Sequence, residues 1–153
     1  MMGTFSRCER LETFNSTIPN SVSVLASTFY SCINLEEGPI TVPNSVTNMQ
    51  STFYGCSELK NTPQTIPNSV INMFQTFSEC KKLTGKIIIN ANLTGAIVYS
   101  YNGSDYKDYD QCFWKEAASI GNGLIISKES QCQELLNHLN DIKSNVSNIS
   151  IEW

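Results

Sequence analysis

Six cysteines and one histidine are the residues of this 153-residue chain best suited to covalent or metal chemistry. Their spacing decides what they can do. Cys8, Cys32, Cys56 and Cys80 recur at a constant 24-residue interval. Stacked in register, such a column holds neighbouring Cβ atoms nearly parallel and about 4.8 Å apart, whereas a disulfide draws them to about 3.8 Å. These four are therefore expected to be reduced, buried and to pack as small apolar residues. No C-x-x-C pair occurs, and thiols strung along an axis cannot converge on one tetrahedral centre, so no metal is expected. Cys112 and Cys132 stand outside the column and form either one bridge or two more packed thiols. His138 follows Cys132 by six residues on an expected helix. That separation rotates the two side chains about 600° apart, onto different faces, which defeats a thiol–imidazole pair. No G-x-S-x-G, H-E-x-x-H, phosphate loop or dinucleotide fingerprint occurs. The chain is expected to be no enzyme and to need no cofactor.

A second group could recognise rather than react. Tyr99, Tyr101, Tyr106, Tyr109 and Trp114 are interleaved with Asn102, Asp105, Asp108 and Asp110. Aromatic faces beside carboxamides and carboxylates suit a sugar, which makes Tyr101, Asn102, Asp105, Tyr106 and Trp114 the candidate ligand-binding residues. The alternative is a loop whose aromatic residues anchor it to the fold while its acids are solvated. The acids lack the D-x-[DN]-x-[DN]-G spacing of a calcium loop. Five N-x-[ST] sequons, at Asn15, Asn92, Asn102, Asn145 and Asn148, follow from a composition rich in Asn, Ser and Thr.

What must position these residues is a repeat. Thr4-Phe5, Thr28-Phe29, Thr52-Phe53 and Thr76-Phe77 share the 24-residue offset, as do Leu11, Leu35, Leu59 and Leu83. The turns at Pro19-Asn20-Ser21, Pro43-Asn44-Ser45 and Pro67-Asn68-Ser69 share it too. Repeats at such a period imply stacked coils. Within one coil, Met49, Phe53 and Cys56 stand at i, i+4 and i+7, the face of a short helix with Asn48 as cap and Gly55 near its exit. An extended stretch from Leu59 to Ile66 follows, and Pro67-Asn68-Ser69 turns the corner. The expected fold class is α/β: a solenoid of 24-residue coils with parallel strands, short helical turns and a C-terminal helix–strand cap.

The unit Pro43-Asn44-Ser45-Val46-Thr47-Asn48-Met49, followed by Thr52-Phe53-Tyr54-Gly55-Cys56-Ser57-Glu58-Leu59, closely resembles the BspA-like leucine-rich repeat proteins. The resemblance is strong over residues 1–90 and loose beyond. It implies a leucine-rich repeat solenoid, bacterial surface or secreted location, and a part in adhesion and host contact; such proteins also occur in some protist parasites. Pro63 and Gln64 depart from the family's L-x-x-L-x-L-x-x-N pattern at places where aliphatic residues are usual, which bears on the regularity of the strand ladder.

Three regions follow. Residues 1–90 hold about four coils. Residues 91–127 form a degenerate repeat with an insertion: Lys86-Ile87-Ile88-Ile89 reads as a buried strand of the last regular coil, and 93–99 as a further extended segment of the ladder. Turn formers follow from Tyr101 to Asp110, and Phe113, one and a half periods after Phe77, marks a coil reached through a 12-residue insertion, with Gly123-Leu124-Ile125-Ile126 as its strand. Residues 128–153 read as the cap. Ser130-Gln131-Cys132-Gln133 fits a capping box, and Cys132, Leu135, Leu136, Leu139 and Ile142 share one helical face. Ile149, Ile151 and Trp153 then alternate as in a half-buried strand.

Composition narrows the partners. Net charge is -4 with only 16% charged residues, and no basic stripe is present, which argues against nucleic acid. No run of about 18 apolar residues suits membrane insertion. Asn, Ser and Thr fill 47 of the 153 positions, so the exposed surface is polar but nearly uncharged. The columns Glu12, Glu36, Lys60, Thr84 and Ser16, Ile40, Gln64, Ile88 vary between repeats while the apolar columns hardly change. The expected function is a non-enzymatic, surface-displayed or secreted module binding a host protein or glycan. The alternative is a structural spacer or assembly segment of a larger extracellular or phage-encoded protein. Met1 aligns with Leu25, Met49 and Met73, so the chain is expected to start inside a coil, with further coils and an export signal upstream. Self-association through the uncapped first coil is a corollary.

Overall fold

The computed structural model describes residues 1–61, 63–91, 93–113, 117–118, 124–128, 137, 139–141 and 149–152. Trp114, Cys132, His138, Trp153, the sequons at Asn92, Asn145 and Asn148, and most of the expected helix face lie outside these residues. Of that face, Leu139 is described; it is helical and buried.

Backbone hydrogen bonding explains how one repeat unit attaches to the next. The N–H groups of Leu25, Ser27, Phe29 and Ser31 donate to the carbonyls of Asn48, Gln50, Thr52 and Tyr54 in the following unit. The intervening N–H groups of Thr28, Tyr30 and Cys32 donate back three positions within their own unit. Met49 to Cys56 and Met73 to Cys80 repeat both patterns. Alternation of this kind needs left-handed residues at intervals, and Ser27, Ser31, Ser51, Gly55, Gln75 and Glu79 all have φ between 51° and 71°.

These segments are therefore chained turns, not the short helix expected from Met49, Phe53 and Cys56. The reason lies in where the bonds go. An α-helix satisfies its N–H groups along its own axis and offers none to a neighbour. Here half of them bind the adjacent unit, so the buried backbone donors of the turns are satisfied while neighbouring units become joined.

The opposite side of each unit carries the strands. There, isolated parallel bridges join Thr13 to Glu37 and Glu37 to Asn61; two others, Val24 to Asn48 and Asn48 to Asn72, stand at the entry to the turns. True strands appear further on: β1 (Thr65–Ile66), β2 (Gly85–Ile89), β3 (Ile97–Tyr101), β4 (Ser104–Lys107), β5 (Leu124–Lys128) and β6 (Ile149–Glu152). β1, β2, β5 and β6 form one parallel sheet in that order. Of the extended stretch expected from Leu59, only Thr65 and Ile66 are strand among the described residues.

Of the ladder segment expected at 93–99, residues 97–99 belong instead to a hairpin, and 93–96 are not strand. β3 pairs antiparallel with β4 through a two-residue turn at Asn102 and Gly103, whose φ values of 49° and 77° are those of a type I′ turn. The hairpin occupies the extra length of the insertion. Beyond it, Met73, Gln75 and Phe77 donate to Asp108, Asp110 and Cys112, so the turn ladder resumes half a period late.

The core runs along the stacking direction. Phe5, Phe29, Phe53, Phe77 and Phe113 form a column of stacked rings with centroids 5.5, 5.5, 5.6 and 5.2 Å apart. Leu25, Met49, Met73, Leu35, Leu59 and Leu83 flank it, fully buried. Thr52 and Thr76 are also fully buried, and each hydroxyl lies within bonding distance of a carbonyl in its own unit and of one in the preceding unit.

Candidate ligand-binding groove

The cysteine column is built for packing. The thiols of Cys32, Cys56 and Cys80 lie 2.9, 3.0 and 2.9 Å from the carbonyls of Phe5, Phe29 and Phe53 one unit back, and donate to them. Burial pushes the Cys32 thiol up to about 11 and also raises those of Cys56, Cys80 and Cys112. These groups stay protonated at neutral pH and offer no thiolate. Cys112 is a free, buried thiol. Cys8 differs from the expectation: it lies in the outermost unit and is exposed.

The residues singled out in the insertion are distributed over the hairpin. Tyr101 ends β3, and Asn102 sits in the turn. Asp105 is exposed and accepts a hydrogen bond from the Ser100 hydroxyl at 2.6 Å. Tyr106 packs at 5.2 Å from the Phe74 ring and 5.9 Å from Tyr99. Tyr99 in turn lies 5.6 Å from Phe74. Asp108, almost fully buried, accepts from the backbone N–H groups of Thr94 and Gly95 at 2.7 and 3.1 Å, clamping the hairpin base. Asp110 accepts from the N–H of Lys107. Most of these rings and acids thus engage the protein itself. A cleft of about 500 Å³ lies between hairpin and turns, lined by Ile71, Asn72, Val98 and Asp108 among others, but not by Asn102, Asp105 or Tyr106.

A different concavity lies on the strand side. It begins with one column of the repeat, formed by Asn15, Pro39, Pro63 and Ile87. Proline has no N–H to donate to a ladder. Where Ile87 occupies the column, β2 pairs with β1 and the N–H of Ile88 reaches the carbonyl of Gln64. Between the earlier units the strands part. Phe14 still donates to Glu37, and Gly38 to Asn61, yet the backbone groups of Asn15, Ser16, Thr17, Ile40 and Thr41 make no hydrogen bond among the described residues.

The gap is a groove of about 520 Å³ crossing four units, within the range of small-ligand sites. Its floor is close to the core at Gly38: a Cβ there would stand 3.2 Å from Phe53 Cε1 and 3.5 Å from Leu59 Cδ1. Its rim carries Asn15, Glu37, Ile40, Thr41, Asn61 and Gln64. Ile40 is 77% exposed, the most exposed of the isoleucines and leucines whose burial is described.

The variable columns divide at this point. Ser16, Ile40 and Gln64 line the groove, and Ile88 lies in β2. The other column is used between units: Lys60 pairs with Glu36 at 2.7 Å, and in a neighbouring column Lys82 pairs with Glu58. Prolines 39 and 63, read together with the Ser16–Ile40–Gln64 column, were the sequence signal for the groove. Among the described residues no three His, Cys, Asp or Glu side chains converge on a metal position, and no helix is long and apolar enough to cross a membrane. No protein family, curated protein or solved structure matches the chain.

Proposed function

We propose that the chain is a segment of a surface-displayed or secreted leucine-rich repeat protein of the BspA-like kind. In this reading its stacked coils form a solenoid that presents the strand-side groove to a protein or glycan, and it performs no catalysis. The observation that carries the reading is the groove itself, a concavity where the backbone at 15–17 and 40–41 has no partner among the described residues. The constant register of the inter-unit bonds supports the solenoid, because units joined this way can be added without limit.

A second reading, a spacer or assembly segment of a larger extracellular or phage-encoded protein, is supported by the Glu36–Lys60 and Glu58–Lys82 pairs, which commit variable positions to contacts between units. Screening the purified chain against immobilised glycans and host matrix proteins separates the two. Binding weakened tenfold or more by Ile40→Arg, with unfolding midpoint unchanged, supports the groove. Binding that ignores Ile40→Arg and Gln64→Ala overturns the groove as the site, and no binding at all leaves the spacer reading.

A further inference from the structure

Three units turn the same corner, at Pro19-Asn20-Ser21-Val22, Pro43-Asn44-Ser45-Val46 and Pro67-Asn68-Ser69-Val70. In each, the valine N–H donates to the proline carbonyl and closes a β-turn. Three of the four residue types have a structural reason to recur. Proline presets its own torsion, Val46 and Val70 are buried, and the Ser45 hydroxyl donates to the Val22 carbonyl one unit back. The asparagine has no such reason. It stands at the second position of the turn, which accepts most residues, and its φ is not left-handed. Asn20, Asn44 and Asn68 are all exposed, yet the equally exposed columns Thr13, Glu37, Asn61 and Ser16, Ile40, Gln64 change from unit to unit.

Beside this column lies a cleft of about 470 Å³, lined by Asn44, Thr65, Pro67, Asn68 and Asn90. It shares no lining residue with the strand-side groove. Strand register brings Asn90 there, since Ile66 faces Ile89 and Asn90 follows β2 as Pro67 follows β1. The Asn90 N–H donates to the Ile66 carbonyl, but its side-chain Oδ1 is buried without a hydrogen-bond partner. Among the described residues, the other buried side-chain oxygen left unpaired is Ser69 Oγ, in the turn that carries Asn68. Folded proteins pair nearly all such atoms, so two at one corner point to a ligand that supplies the bonds.

We propose that this cleft binds a neutral saccharide, at a site separate from the groove. No charged side chain lines it, so an ionic ligand would lose hydration there and gain no countercharge. Sugar hydroxyls donate and accept, as the carboxamides of Asn44, Asn68 and Asn90 and the Thr65 hydroxyl do, and two adjacent hydroxyls can meet one carboxamide at both its ends. Pro67 gives an apolar edge for the C–H side of the ring. Rotation of the Asn90 carboxamide turns Oδ1 into the cleft, where a sugar hydroxyl donates to it; an apolar ligand leaves it unpaired. The cleft is of a size that suits small ligands.

The test titrates the whole chain with short neutral oligosaccharides and with their carboxylated and sulfated counterparts, followed through side-chain amide resonances. A neutral oligosaccharide is expected to shift those of Asn44, Asn68 and Asn90 and to leave that of Asn20, which belongs to the same column but lies outside the cleft. Asn68→Ala, at an exposed position, should weaken binding tenfold or more with the unfolding midpoint unchanged, whereas Asn20→Ala should leave affinity within twofold. Asn90→Leu keeps the volume and removes the unpaired acceptor, so binding should be lost with no fall in the midpoint. A marked fall would show the carboxamide to be satisfied within the fold, and overturns the proposal. Binding of the charged oligosaccharides alone overturns it as well. Binding that responds to Ile40→Arg but not to Asn68→Ala also overturns it, and leaves the groove reading standing. Failure of every saccharide to bind ends the proposal without touching a protein ligand at the groove.

Discussion

The two long sides of each repeat unit are made from the same recurring sequence, yet one is closed and the other opens. On the turn side, N–H groups alternate between the next unit and the residue three back, and Thr52, Thr76 and the cysteine thiols add further bonds to the same set of carbonyls. On the strand side, Pro39 and Pro63 withhold donors, and the backbone at 15–17 and 40–41 is bonded to nothing among the described residues. The closed side can hold the units together without help from the open one. That independence lets a groove exist in so small a fold, because backbone left unpaired at the surface is solvated at little cost, whereas the same gap in the turn ladder would bury orphaned polar groups.

Substitutions on the two sides should therefore differ sharply. Phe53→Ala removes a ring stacked on both faces and is expected to cost about 3–5 kcal/mol in urea unfolding. Ile40→Ala, at an equally apolar but exposed position, should stay within about 0.5 kcal/mol. Similar costs at both positions would mean that the strand side is as much a part of the folding core as the ring column. Next comes Gly55→Ala. Its φ of 71° disfavours any side chain, and the new Cβ would sit 3.3 Å from the Ser31 hydroxyl, so a loss of about 1–2 kcal/mol is expected. Thr52→Val keeps the shape and deletes only the hydroxyl, for a loss of about 1 kcal/mol. A neutral Thr52→Val would show that the threonine column serves packing alone.

What could be read in the residues beforehand follows the same division. The apolar columns were legible because a side chain repeated at a constant interval must meet its copies, and Phe29, Phe53 and Phe77 do. The strands at Gly85–Ile89 and Leu124–Lys128 were legible as short aliphatic runs. The helix reading of Met49, Phe53 and Cys56 failed because a turn ladder puts inward residues at the same i, i+4, i+7 spacing. Side-chain periodicity records which residues face in, and is silent on where the N–H groups go. The extended segment expected in the ladder at 93–99 gives way to a hairpin from residue 97 because Asn102-Gly103 favours a tight turn, and here the local turn outweighs the repeat. The groove left only a faint trace, the prolines at 39 and 63, because its depth depends on the missing side chain at Gly38, which no pattern of neighbours reveals.

The smallest effect tests whether charge beside the Glu37–Asn61 bridge, at the margin of the strand side, adds anything to the hydrogen bonds beneath it. Glu36 bonds to Lys60, which holds the Glu36 carboxyl below its ordinary range, first through the hydrogen bond and then through the charge. Lys60 is raised by the same bond. A carboxyl lowered on folding stabilises the folded state above its unfolded-state pKa, and that contribution fades as pH falls through the lowered value. Unfolding midpoints in urea should accordingly drop between about pH 5 and 3, with Glu36→Gln showing a shallower fall than the parent chain. Both groups are solvent-exposed, and ion pairs in solvent are weakened by salt, so the difference between the two proteins should shrink in about 0.5 M salt. If it persists at high salt, the pair is acting through geometry, as a strut between the second and third units, and the turn ladder is less self-sufficient than its backbone bonding implies.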